Sequence, residues 1–140
     1  MWARTTIVKF APNGNQSVYI PSGLDDPTGM AFDSSGDLFV ADVHGENVKD
    51  FTPSGILSVF ATNGIAGPEG IAFDSSGNLY VANSDNSTIG EFGTNGVGSV
   101  FASSGVNKPL FMAIQVPEPS TTLLVGIGML TLWAGLRRKS

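Results

Sequence analysis

Pro27 to Asp42 reads PTGMAFDSSGDLFVAD, and the chain repeats it from Pro68 to Asn83 as PEGIAFDSSGNLYVAN. The opening returns once more at Pro109 as PLFMAIQ, so successive prolines stand 41 residues apart. Residues 27–67 and 68–108 align without a gap and are identical at 18 of 41 positions. A period of roughly 40 residues belongs to architectures that stack one supersecondary unit on its copies, propellers and solenoids, because a single unit cannot bury its own apolar faces. The register also runs backwards: Ile7, Phe10, Gly14 and Gly23 precede Val48, Phe51, Gly55 and Gly64 by one period. The chain thus divides into a partial unit 5–26, full units 27–67 and 68–108, and a partial unit 109–115. In this register Met1 falls inside a unit and no apolar leader precedes it, so the chain is expected to be the C-terminal part of a longer protein with a signal peptide upstream.

Each full unit holds four short strand candidates, Gly70 to Asp74, Leu79 to Asn83, Thr88 to Phe92 and Gly98 to Ala102, with counterparts one period earlier. Thr6 to Phe10, Ser17 to Pro21 and Phe111 to Gln115 are the strands expected in the partial units. Asp33-Ser34-Ser35-Gly36 and Asp74-Ser75-Ser76-Gly77 carry hairpin chemistry, an acidic cap followed by a glycine free to take positive φ. Leu79-Tyr80-Val81-Ala82 is apolar at successive positions rather than alternating, as a strand covered on both faces must be. Four such strands make a blade, and the predicted class is all-β, a partial β-propeller of about 2.5 to 3 four-stranded blades. Phe32 with Phe73, Phe39 with Tyr80, Phe51 with Phe92 and Phe60 with Phe101 recur in phase and read as core.

Residues 116–140 are a different material. Pro117-Glu118-Pro119 is followed by an almost wholly apolar run from Thr122 to Leu136 and then by Arg137-Arg138-Lys139. A helix over 121–136 would rise about 24 Å at 1.5 Å per residue, somewhat short of the roughly 30 Å hydrocarbon layer. Basic residues directly after it would snorkel to the lipid headgroups and stay on the cytoplasmic side, leaving the repeats outside. Two prolines hold the preceding chain extended and present Glu118 at the outer face.

Charge narrows the function classes. Residues 1–116 hold four basic side chains (Arg4, Lys9, Lys49, Lys108) against eleven acidic ones. Nothing in that set forms the basic stripe that phosphates require, so nucleic acid is not an expected partner. Cysteine is absent, which removes disulfides and thiolate metal sites.

The recurring P-x-G-[MI]-A-F-D-S-S-G-[DN]-L-[FY]-V-A-[DN] resembles the NHL-repeat β-propellers over residues 5–115. The Pro-Glu-Pro triplet, apolar span and arginine-rich end resemble the PEP-CTERM sorting signal over 116–140, with the transmembrane helix at 121–136. The first resemblance implies a blade array, whose relatives include lactonase- and lyase-like six-bladed enzymes as well as binding proteins. The second implies an exported protein whose tail is recognised at Pro117, Glu118 and Pro119 by an exosortase, with Arg137, Arg138 and Lys139 marking the membrane end.

Two polar sets are candidates for chemistry. Asp42, His44, Glu46 and Asp50 bring a histidine together with carboxylates, as a divalent metal would require. Their counterparts are Asn83, Asp85, Ser87 and Glu91, so the set is not repeated and His44 reads as a solvated turn residue. Lactonase-like propellers hold a metal with side chains from several blades, and the resemblance leaves Asp42 and Asn83 as weak candidates for that layout. No Gly-x-Ser-x-Gly elbow, phosphate loop or His-Glu-x-x-His motif occurs. The expectation is an exported binding or structural module at the cell surface or in the extracellular matrix, not an enzyme and with no cofactor, its ligand a protein or polysaccharide. The alternatives are part of a lactonase- or lyase-like propeller enzyme, or an inactive gene fragment.

Overall fold

The computed structural model describes residues 5–115. The sorting triplet, the helix expected at 121–136 and the basic end lie outside them. Ten strands run in order: β1 (Ile7–Phe10), β2 (Gln16–Ile20), β3 (Pro27–Phe32), β4 (Leu38–Asp42), β5 (Asn47–Phe51), β6 (Leu57–Ala61), β7 (Pro68–Phe73), β8 (Leu79–Asn83), β9 (Thr88–Phe92) and β10 (Gly98–Ala102). They form three antiparallel meanders: the pair β1-β2, the blade β3-β4-β5-β6 and the blade β7-β8-β9-β10. No described helix is long and apolar enough to cross a membrane.

The two blades keep the same register. Phe32 pairs with Leu38 and Phe73 with Leu79, and each inner strand carries an irregularity, between Pro27 and Met30 and between Pro68 and Ile71. The hairpins close as their sequence requires. Asp33 N–H donates to Asp37 O at 3.0 Å, and its carboxylate Oδ1 accepts the Ser35 and Asp37 N–H groups at 2.8 and 2.9 Å. Gly36 and Gly77 sit at φ 90° and 87°, a conformation that glycine enters without a Cβ clash.

Alternate residues of the first blade's middle strands, β4 and β5, serve two different cores. Leu38, Val40 and Phe51 turn toward Ile7, Ile20 and Leu24 of the N-terminal unit. Phe39, Ala41 and Val48 turn toward Ile71, Leu79, Val81 and Phe92 of the next blade. All five residues of β4 are therefore buried, which is why its sequence does not alternate. Phe39 sits at the centre of the second core, edge-on to Phe60 and to Phe73 with 4.9 Å between ring centroids in both cases, a geometry worth roughly 0.5–1.5 kcal/mol per pair beyond area burial.

Two expectations need correction. Phe111 to Gln115 forms no strand; among the described residues, no equivalent of β4 follows it to complete its hydrogen bonds. The aromatics that recur in phase are not uniformly core. Phe32 and Phe101 are 60% and 61% exposed, since each faces a side of the array that no complete blade covers.

Candidate functional site

The two weak metal candidates occupy the same place in their blades, at the end of β4 and of β8, and both are fully buried. Asp42 accepts the Asp25 N–H on both oxygens at 2.9 Å, and its Oδ2 lies 2.5 Å from Lys49 Nζ, which also donates to Gly23 O at 2.8 Å. Asn83 accepts the Ala66 N–H at 3.1 Å and donates to Gly64 O at 3.0 Å and to Thr88 Oγ1 at 3.3 Å. Each side chain thus ties the connector entering its blade to the second strand. The paired carboxylate and amine satisfy the buried charge that either would leave alone.

His44 stands in the turn after β4 with its side chain 66% exposed, 3.8 Å from Asp25 and 4.0 Å from Asp26. Asp42 is inside, His44 outside, and Asp50 accepts a hydrogen bond from Ser58, so these members of the sequence cluster are directed apart. Among the described residues, no three His, Asp or Glu side chains are grouped as a metal would need. Sequence reasoning missed Lys49. Its signal was present: Asp42 becomes Asn83 one period later, and Lys49 becomes Gly90, so charge and counter-charge leave together.

The concave feature lies at the other end of the blades. Between the hairpins after β3 and β7 runs a groove of about 620 Å³, lined by the aromatics Phe39, Phe60 and Phe73, by the edge of Phe32, and by Ser34, Ser35, Ser75, Ser76 and Thr94. Apolar floors with a few polar groups at the rim are the general make-up of ligand sites. The two carboxylates in the groove differ. Asp74 spends Oδ1 on the Ser76 and Asn78 N–H groups and Oδ2 on the Asn78 amide at 2.9 Å. The Asn78 side chain first, and the turn N–H groups with it, hold the Asp74 pKa below its ordinary value. Asp33 makes the same backbone bonds, but position 37 is Asp where position 78 is Asn. Asp37 has no amide to give, and the Ser35 and Asp37 N–H groups both bond Asp33 at Oδ1.

A second hollow of about 310 Å³ lies on the far face of the second blade, among Tyr80, Ile89, Phe101, Met112 and Ile114. Tyr80 donates to Glu91 at 2.8 Å, and that bond is the main reason its pKa is pushed up to about 12. The ring of Phe101 meets Tyr80 edge-on at 5.1 Å.

Known proteins agree with this architecture. The NHL repeat family matches residues 66–92, and the PEP-CTERM protein-sorting motif matches residues 115–139. No curated protein matches the chain. Among solved structures, virginiamycin B lyase from Staphylococcus aureus is 19% identical with a TM-score of 0.64, over 76% of this chain and 37% of that one. Regucalcin, a calcium-binding protein from Agrobacterium tumefaciens, is 17% identical with a TM-score of 0.64, over 76% of this chain and 39% of that one. A chain of the nidogen–laminin complex is 17% identical with a TM-score of 0.64, over 75% and 44%. These likenesses establish the fold, and the chain spans about two fifths of the length of the solved structures it matches. In-phase repeats, blade topology and the two family matches together show propeller-type blades that include an NHL repeat at 66–92, followed by a PEP-CTERM sorting motif at 115–139.

Proposed function

We propose that this chain is an exported binding and structural module, delivered through its PEP-CTERM tail to the cell surface or matrix and engaging a protein or polysaccharide ligand there, rather than an enzyme. The observation that carries the reading is the division of polar groups in the repeat. Asp42 and Asn83 are spent on holding connectors, and Asp33 and Asp74 on closing hairpins. The groove between those hairpins is a concave surface left free to meet another molecule. Its Ser34 and Ser75 rims are exposed and take no part in the turn bonds, so they can be changed without touching the fold. In this reading the tail is inserted with Arg137, Arg138 and Lys139 on the cytoplasmic side and Glu118 presented to an exosortase outside.

The test has two arms. Fractionation of the exported protein in hosts with and without the exosortase should show a shortened product released from the membrane only where the enzyme is present. Identical length and location in both hosts would reduce the tail to a plain anchor. In the host with the exosortase, Ser34→Trp combined with Ser75→Trp should fill the groove and release the protein from the cell surface into the medium without changing its thermal stability. Undiminished retention would remove the groove from the binding surface.

A further inference from the structure

Neighbouring inner strands approach each other closely at the glycine of P-x-G. A Cβ built on Gly29 would lie 2.2 Å from the carbonyl oxygen of Glu69 and 3.0 Å from the Cα of Gly70. One period later, a Cβ on Gly70 would lie 2.8 Å from the carbonyl oxygen of Leu110 and 3.1 Å from the Cα of Phe111. Those atoms are backbone and cannot swing aside, so only glycine permits the approach. Thr28 reinforces it, its hydroxyl donating to Pro68 O at 3.0 Å and Glu69 O at 3.1 Å. The third copy of the motif, PLFMAIQ, puts Phe111 where the first two put Gly29 and Gly70. Phe111 is 90% exposed.

The repeat also leaves two mutually fitting surfaces. Met30 and Phe32 of β3 are 50% and 60% exposed, whereas their counterparts Ile71 and Phe73 pack in the core between the blades. At the other end, Phe111 and Ala113 stand where Gly29 and Ala31 stand, and Ala31 packs into that same core. If the geometry of the repeat were continued between molecules, segment 109–115 of one copy would lie on β3 of another, with position 111 against the backbone of Thr28, Gly29 and Met30. Such an interface is heterologous and can close into rings or run on as filaments.

We propose that Phe111 is a steric block against this head-to-tail pairing, so that the array of inner strands in one molecule is not continued by a second copy. The Phe111 Cβ falls where the partner's backbone would have to pass, and the ring extends the exclusion. This departure from the repeat, at a position where a Cβ meets neighbouring backbone in both full units, protects an otherwise self-complementary pair of surfaces. This is the use that natural sheet proteins make of a misfitting residue at an open edge.

The full chain, kept in detergent micelles for the sake of its apolar tail, tests the proposal by sedimentation across a concentration series. Wild type and Phe111→Ala should both stay monomeric, because alanine retains the Cβ. Phe111→Gly should show roughly a doubling or more of the weight-average mass with rising concentration. Adding Met30→Asp, an exposed site on the receiving surface, should abolish that gain. A Phe111→Gly chain that stays monomeric, or glycine and alanine variants that associate equally, would overturn the block, as would wild-type oligomers that Met30→Asp dissolves.

Discussion

The two complete blades share one unit yet live in different surroundings. In the first, Phe39 is 7% exposed and locked between Phe60 and Phe73. In the second, its counterpart Tyr80 is half-buried and turns its hydroxyl to Glu91, while Phe101, the counterpart of Phe60, is 61% exposed. Strand positions and registers are otherwise the same. The repeat dictates where strands form, and the neighbouring blade dictates what their side chains contribute. The clamps differ as well, an ion pair in the first blade and an uncharged amide network in the second.

The largest effect expected from breaking this contrast is at Asp42. Asp42→Asn gives the first blade the second blade's residue but strands Lys49, whose side chain is only 14% exposed. Leaving a buried charge without its partner costs about 3–5 kcal/mol, to be read as a shift in the urea midpoint at constant slope. Adding Lys49→Gly, the residue found at position 90, should recover roughly half of that loss or more through coupling between the two sites. Equal stability of the single and double variants would show that the charge pair is not what distinguishes the clamps.

Next in size is the aromatic contrast. Phe39→Ala removes a ring from a core closed on both sides and should cost about 3–5 kcal/mol, whereas Phe101→Ala, at an exposed site, should cost about 1 kcal/mol or less. Comparable losses in thermal denaturation would mean that the outer face of the second blade is covered in solution.

The smallest is an alkaline effect at Tyr80. Its hydrogen bond to Glu91 favours the neutral phenol and raises the folded pKa from 10.0 to about 12. The contribution is therefore complete below pH 10 and lost as pH rises toward 12, since the unfolded chain releases its proton first. Tyr80→Phe restores the first blade's residue and should flatten the stability profile of wild type between those pH values. Wild-type and variant profiles that fall in parallel would assign the alkaline loss elsewhere.

Much of this molecule is legible from the chain because its signals are local and written twice. Asp-Ser-Ser-Gly specifies a hairpin through its own backbone bonds, and β4 announces two covered faces by refusing to alternate. The candidate site was less legible. Asp42 looks like a metal ligand in sequence because a carboxylate carries no mark of what it will meet, and its partners, the Asp25 N–H and Lys49, lie 17 and 7 residues away. The groove between the hairpins draws its residues from two blades and has no sequence pattern of its own.

By itself, the sequence determined the 41-residue period, the strands, the hairpin chemistry and the motif at the tail, all features set within a few residues or by simple recurrence. Only the tertiary structure decided which of two equivalent aromatics is core and which is surface, and why P-x-G needs its glycine. Burial and close approach depend on a neighbour that stands one period away along the chain but a few ångströms away in space, and a strand's own residues do not record whether that neighbour is there.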